Sequence, residues 1–431
     1  FSTTTYLNEN PDVRDSGCNP FFHYLSQGLA EGRIAKLKDE WKFEALAAAH
    51  STIREGSTKV SVETLAGALT GRELTEALSA CAGDLVLSIS HDDYLHQSGG
   101  VQLCIQIEEK QARERGIAYL HVFPKEPKAR LLGAGDTDDP LMVVTLDGRR
   151  LGHCRATDLA FALSRNVTGQ AQVVLHHLMG HHLLRVLDMI SAFGAVPVRL
   201  WLHDFFTICP SYTLQRNLLA FCGAPPAASA ACDICAFGQW RPAHSSAMKT
   251  LFDTTEIEVV APSHHAMGLW LKRSGLVPHK SFRLPHQVIR QTKRAQPHTA
   301  ARNPIRIGFL GAPLPHKGWP TFERLLMNCG ESQNFVFYFL GEGPKPTDRV
   351  HHVPVRVTAD DPDAMVRAIS EAEIDLVLHW ATWPETFSFT AHEAIAGGAG
   401  VLTNPLSGNV AIAGPKGFKK GSEVNADAIS E

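Results

Sequence analysis

The sequence predicts an α/β protein made of two Rossmann-like domains behind a small helical front piece. Three observations carry this. Brief apolar runs of strand length recur from Asp84 onward, amphipathic segments of helical length separate them, and a polar, proline-bearing stretch divides the series in two. At 431 residues the chain is too long for one comfortable core, and size alone favours two domains of roughly 150 to 200 residues plus something smaller. With 44% hydrophobic and 20% charged residues it reads as a folded protein, not a disordered one. A formal net charge of -3 gives no reason to expect a nucleic-acid backbone as partner.

Residues 1–80 read as a helical domain without strand runs: NPFFHYLSQGLAEGR, DEWKFEALAAAHSTIR, SVETLAGALT and ELTEALSACAG. The next domain, 81–295, has strand candidates DLVLSIS (84–90), IAYLHVF (117–123), LMVVTL (141–146), AQVVLHH (171–177), VPVRLWL (196–202) and IEVVAP (257–262). Between the first two lies VQLCIQIEEKQARERG, in which Val101, Cys104, Ile105, Glu108 and Ala112 recur at helical spacing and Gly116 stands where a helix would stop. That β-α-β unit implies a mainly parallel sheet. The polar linker QTKRAQPHTAARNP (291–304) leads into a third domain, 296–431. Its strands are IRIGFL (305–310), FVFYFL (335–340), VPVRVT (353–358), IDLVLHW (374–380) and GAGVLTN (398–404), with helices near 319–328, 363–371 and 387–396. Two such domains leave a cleft between the C-terminal ends of two sheets, where open sheets bind ligands.

Candidate ligand groups stand at strand exits. In WPETFSFTAHEAIAGGAG, Glu385 follows a strand and Glu393 lies inside the following helix, at most about 12 Å further on. The first-turn amides between them suit an anionic diphosphate, with a sugar at one carboxylate and ribose hydroxyls at the other. The plain alternative is a capping glutamate followed by a surface one. GFLGAPLPHKGW offers a second phosphate element: Gly311 in a turn, then Lys317, a mobile point charge before a helix. No G-x-x-x-x-G-K-[ST] pattern is present, which disfavours ATP hydrolysis; an isolated lysine there is otherwise simply solvated.

ETFSFTAHE matches in full the E-x7-E element of the retaining glycosyltransferases of the GT-B fold, and residues 84–425 resemble that group, most specifically over 305–405. The resemblance implies that Glu385 approaches the donor sugar, the amides of Phe387 and Ser388 approach phosphate, Glu393 holds the ribose, and Lys317 binds the diphosphate. It also implies that the Gly99–Gly100 turn faces the diphosphate from the other domain. In LWLHDFFTICP, His203 would meet the donor sugar through its imidazole and its backbone carbonyl; a structural strand-end histidine is the ordinary alternative. Where the family commonly has an arginine after the strand-ending glycine, this chain has Ala312.

The implied activity is metal-independent, retaining transfer of a hexose-type sugar from a nucleotide sugar to a glycan, lipid-linked or protein acceptor, as in bacterial polysaccharide synthesis. The expected location is cytoplasmic, including the inner face of the membrane, with polysaccharide-assembly proteins as partners. No apolar stretch reaches 18 residues, and the opening FSTTTYLNENPD lacks the basic start and apolar core of a secretion signal. The competing class is a noncatalytic sugar-nucleotide or polysaccharide binder with a degenerate cleft, for which Ala312 is the best support.

CPSYTLQRNLLAFCGAPPAASAACDIC places Cys209, Cys222, Cys232 and Cys235 in a Cys-x12-Cys-x9-Cys-x2-Cys pattern. Four thiols closing on C-x-x-C suit structural zinc or an iron–sulfur cluster; buried free thiols or a disulfide are the alternatives. The front segment, with NPDV and HY…G…EGR, resembles a short helical repeat found beside bacterial polysaccharide glycosyltransferases, in which Phe21, Phe22, Tyr24 and Trp41 form either a core or a docking surface.

Overall fold

The computed structural model describes residues 3–33, 67–81, 83–167, 169–286, 304–412 and 418–420. Two compact units emerge, Phe1–Ser51 and Thr52–Glu431. In the first, short helices Thr3–Glu9, Pro11–Ser16 and Pro20–His23 close around the fully buried Tyr6, whose hydroxyl lies 3.0 Å from His23 Nδ1. The repeat signature has a physical basis here. Arg33 of EGR reaches back to Asp12 of NPDV at 2.5 Å and to Asn10 at 3.3 Å, and also pairs with Glu31. Phe21 and Phe22, for which a core role is the simpler expectation, are 51% and 71% exposed. Trp41 and the helix expected around it lie outside the described residues.

The second unit carries both sheets. Gly71–Ser79, a helix begun by a Thr70–Glu73 capping box, packs on helix Ala156–Asn166. Residues 67–70, expected as helix, are instead extended, with Ala68 bridging to His153. The first sheet contains β1 (Leu85–Ile89), β2 (Ala118–Pro124), β3 (Leu141–Leu146), β4 (Arg149–Arg155), β5 (Ala171–Leu175) and β6 (Val198–Trp201). A two-stranded ladder of β7 (Gln215–Arg216) and β8 (Ala220–Phe221) stands apart, and β9 (Ile257–Ala261) and β10 (Lys280–Arg283) complete the sheet. Its order is β10-β9-β6-β5-β1-β2-β3-β4, parallel from β10 to β2 and antiparallel at the β3–β4 edge.

The second sheet is parallel throughout: β11 (Ile305–Leu310), β12 (Phe335–Leu340), β13 (His351–Val353), β14 (Leu376–His379), β15 (Gly400–Thr403) and β16 (Phe418–Lys420), in the order β13-β12-β11-β14-β15-β16. Helices cover both faces, which is why its central strands read as nearly unbroken apolar runs. Ile307, Phe309, Phe337 and Phe339 pack with Trp319 and Phe322 of helix Trp319–Cys329, whereas Leu310, Leu340 and Val377 pack with Ile369 and Ala394 on the opposite side. The strand expected over 353–358 is displaced to His351–Val353, because Pro354 has no N–H to continue the ladder.

Both sheets have a topological switch point, where neighbouring strands leave to opposite sides: between β1 and β5 in the first, and between β11 and β14 in the second. Such points open a crevice beyond the strands' C-terminal ends. Among the described residues no helix is long and apolar enough to cross a membrane.

Candidate functional site

The exits of β11 and β14 bring the predicted groups of the second sheet together. After β11, Gly311 turns with φ +79°, and a single 3-10 turn, Pro315–Lys317, ends at Gly318. Gly318 has φ +92°, and a Cβ there would collide with the Trp380 carbonyl, so only glycine lets this turn lie against the β14 exit. Thr382 N–H donates to His316 O at 2.9 Å across the same seam. Lys317, Glu385, His379 and Thr390 thereby line one small cavity of about 10 Å³. That space holds one water at most, so a diphosphate would lie in the cleft outside it.

Glu385 is 4% exposed and faces His379 Nε2 at 2.8 Å. Burial on its own would raise the carboxyl's pKa; His379, then Lys317 and His316, more than offset it, and the group is held below its ordinary value. Its backbone is fixed from behind, because Asn409 N–H donates to Glu385 O at 3.0 Å. Helix Phe389–Ala396 begins at Ser388, whose hydroxyl accepts from Ala391 N–H at 3.2 Å and lies 2.8 Å from His379 Nε2. Among the described residues no acceptor meets the amides of Phe387, Ser388, Phe389 or Thr390. Glu393, one turn further on and 3% exposed, has no side-chain hydrogen bond or ion pair among the described residues. Burial pushes its carboxyl up to about 7 against a smaller opposing pull from Lys317. Lys317 likewise has no carboxylate partner there.

The first sheet presents its switch point to this helix. Gly100 opens helix Gly100–Glu114, and a Cβ on it would touch the Phe389 ring at 3.3 Å, so the Gly99–Gly100 turn does face the helix carrying Glu393. His203, just past β6, joins a stack of rings: Trp201 at 5.8 Å, His286 at 5.0 Å, and His286 in turn on Phe389 at 5.7 Å. Burial and the neighbouring His286 and His176 hold His203 well below the usual histidine range, so it is neutral. Its carbonyl, expected at the reacting centre, accepts from the Thr386 hydroxyl at 2.5 Å instead, while Ser263 Oγ donates to Thr386 O at 2.7 Å. Ala381 and Trp383 belong to the apolar core of the first sheet, with Trp383 edge-on to Phe205 at 6.5 Å.

Several residues were missed by sequence reasoning. His379 is the buried ring between Glu385 and Ser388; its only sequence signal is its place at the end of IDLVLHW. His286 and Cys104 converge on His203, with one donor atom of each within 4.8 Å of the others, the one such triple among the described residues. His176, a weaker candidate at the end of AQVVLHH, lies behind His203 at 2.9 Å, and its own neighbour Glu108, 3.3 Å beyond it, had no sequence signal. Asp92 and Asp93, in the loop after β1, are engaged by Gln102 at 2.8 Å and by Arg150. The four cysteines line a second cavity, remote from Glu385 in sequence and built from the loop after β6.

No protein-family model matches the sequence, and no curated protein matches it. Among solved structures, the pneumococcal O-GlcNAc transferase GtfA in complex with UDP and GlcNAc is similar over 80% of this chain and 90% of that one, with TM-score 0.50 and 10% identity. HepE from Anabaena in complex with UDP-glucose aligns over 80% of this chain and 87% of its own, at TM-score 0.44 and 14% identity. The trehalose-phosphate synthase of Burkholderia xenovorans in complex with glucose-6-phosphate aligns over 81% and 90%, at TM-score 0.45 and 10% identity. At such identities the likeness is one of fold. Two Rossmann-like sheets whose switch points face a shared cleft, similar as a whole to GtfA, give this chain the GT-B fold.

Proposed function

We propose that the protein is a retaining, nucleotide-sugar-dependent glycosyltransferase acting on a glycan, lipid-linked or protein-linked acceptor. One observation carries the proposal. Among the described residues, a lysine with no carboxylate at ion-pair distance, four amides without acceptors and a buried carboxyl without a side-chain partner converge at the exits of β11 and β14. Buried or half-buried polar groups in a folded chain are ordinarily satisfied, so groups left open together mark where a ligand completes them. Their order along Lys317, Phe387 to Thr390 and Glu393 fits a nucleoside diphosphate, with the ribose at Glu393 and the sugar toward Glu385. GtfA, which has this fold, is described with UDP; a uridine donor is therefore the first to test.

The chemistry follows from the charges. As the glycosidic bond to phosphate breaks, negative charge grows on the leaving oxygen, and the helix amides and Lys317 are already oriented toward it. Glu385, ionised and braced by His379, orients sugar hydroxyls; its partner Glu393 belongs to the far end of the donor, so the two are not the flanking pair of a hydrolase. The acceptor hydroxyl approaches the same face that the diphosphate leaves, and the departing phosphate takes its proton. His203, neutral and packed against His286, lines the sugar side from the opposite domain.

The test is turnover of UDP-sugars, followed as UDP release with and without added glycan acceptors. Donor-dependent UDP release that disappears in Glu385→Gln and Lys317→Ala supports the reading. A second reading, a binder without turnover, draws on Ala312 in place of the family arginine and on the engagement of the His203 carbonyl by Thr386. Donor binding by calorimetry with no release of the donor's own nucleotide across the full set of common nucleotide sugars would favour it.

A further inference from the structure

The segment from Cys209 to Gly238 has little regular structure: the two-residue strands β7 and β8 and the 3-10 turns Ala230–Cys232 and Gly238–Trp240. Even so it folds back on itself so that Cys209, Cys222, Cys232 and Cys235 all line one cavity of about 20 Å³ together with Arg241. All four are free thiols. Cys235 N–H donates to Cys232 O at 2.9 Å, which closes the C-x-x-C pair into a tight turn, and the Ser211 amide hydrogen-bonds the Cys209 sulfur.

Arg241 supplies an independent sign of negative charge. It is 4% exposed, and its guanidinium donates to Cys232 Sγ at 2.9 Å and to the Pro225 carbonyl, with Nε left without a partner. Among the described residues it pairs with no carboxylate. Burying a cation costs several kcal/mol unless an anion answers it, and the only anion this site can form is thiolate.

We propose that Cys209, Cys222, Cys232 and Cys235 hold one structural zinc ion as a closed tetrathiolate site. Four thiolates around a divalent ion leave a net charge of about -2, which the buried Arg241 offsets. Zinc is the simpler occupant of a cavity this small, because it needs the four thiolates alone and no inorganic sulfide. No three of the sulfurs yet lie within 4.8 Å of one another, so binding draws them to the roughly 3.8 Å of a tetrahedral zinc thiolate. The four positions are saturated by protein, so the ion takes no part in transfer. Its role is to shape a loop whose Gln215 Nε2 donates to Thr382 Oγ1 at 2.8 Å and to Thr382 O at 3.1 Å, three residues before Glu385.

Elemental analysis of the full-length protein, purified without chelators, is expected to find about one zinc per chain. Cobalt-loaded protein is expected to show sulfur-to-metal charge-transfer bands and the intense visible bands of a tetrahedral site. Cys232→Ser with Cys235→Ser is expected to lower bound zinc at least tenfold, whereas Cys329→Ser, in the helix Trp319–Cys329, leaves it unchanged. Folded wild-type protein that carries no zinc and takes up no cobalt overturns the proposal, and so does iron with sulfide in place of zinc. Should the double variant not fold, the cobalt spectrum of the wild type decides alone. Metal content is read without a sugar donor, so failure here leaves the transferase reading standing.

Discussion

His176 Nδ1 lies 2.9 Å from His203 Nε2, and this contact sets which face of His203 can accept a proton. The far nitrogen of His176 faces Glu108 Oε1 at 3.3 Å, and that carboxylate also accepts from the Tyr119 hydroxyl at 2.9 Å. Burial raises the pKa of Glu108, but His176 and the Tyr119 hydrogen bond outweigh it, so the group stays ionised and can only accept. With Glu108 accepting at His176 Nε2, a neutral His176 can accept from His203 Nε2–H at Nδ1, which leaves His203 Nδ1 as an acceptor suited to a sugar hydroxyl.

Glu108→Gln should invert this relay. The Tyr119 hydroxyl and His176 Nε2 meet the same oxygen, Oε1, so a glutamine with its amide nitrogen at that position donates to both and pushes the proton through to His203 Nδ1. The expected outcome is a kcat lowered roughly 10- to 100-fold with the donor KM little changed. Nitrogen NMR of the imidazoles should show the moved proton. An unaltered tautomer together with unaltered kcat would remove Glu108 from any positioning role.

Lys317→Ala separates binding from folding. The side chain makes no ion pair among the described residues but helps hold the buried Glu385 ionised, so stability should fall only modestly, by about 1 kcal/mol, in a denaturant titration. Affinity for a nucleoside diphosphate should fall by about 1.5–3 kcal/mol, the worth of a hydrogen bond to a charged group. Equal loss of stability and affinity would mean that Lys317 serves the fold instead.

Glu393 gives donor binding a pH dependence. Burial pushes its carboxyl up to about 7, so below neutrality the group is increasingly protonated and offers ribose hydroxyls a weaker, neutral acceptor. Binding should be fully developed above pH 7 and weaken as pH falls through it, a dependence that Glu393→Gln abolishes. The stability sign is opposite to that of a salt-bridged carboxylate. Between the unfolded value and 7 the folded chain binds the extra proton, so ligand-free stability falls as pH rises through that window. At pH 8 the glutamine variant is expected to be more stable by about 1–3 kcal/mol in thermal or denaturant unfolding.

Gly318→Ala tests the seam between the two strand exits. The substitution places a Cβ at φ +92° against the Trp380 carbonyl. A loss of about 2–4 kcal/mol in stability is expected, with weakened nucleotide binding as Lys317 shifts. Retention of both would show that the turn can relax without cost.

Much of this architecture can be read from residue order. The strands of the second sheet are buried on both faces and so announce themselves as runs such as IRIGFL and FVFYFL, and the glutamates and the lysine stand at their exits. Strand β4, RRLGHCR, escaped because an exposed antiparallel edge carries charge; its signal was the Asp147–Gly148 turn, with φ of +47° and +76°, a common two-residue hairpin. Strand β10, KSFR, is exposed along its whole length and has no apolar pattern to detect. His379, His176, His286 and Glu108 act through contacts between distant segments, and no local spacing encodes them. The engagement of the His203 carbonyl by Thr386 likewise depends on how two domains meet.

Trp383 sits among the apolar residues of the first sheet while Glu385, two positions later, serves the second. Any widening of the cleft to admit a donor or free a spent nucleotide must then leave this short stretch behind or bend the chain on either side of it. The loop bearing Glu385 is thus tied to the opposite domain, and substitutions at Trp383 should register first in the rate of nucleotide exchange.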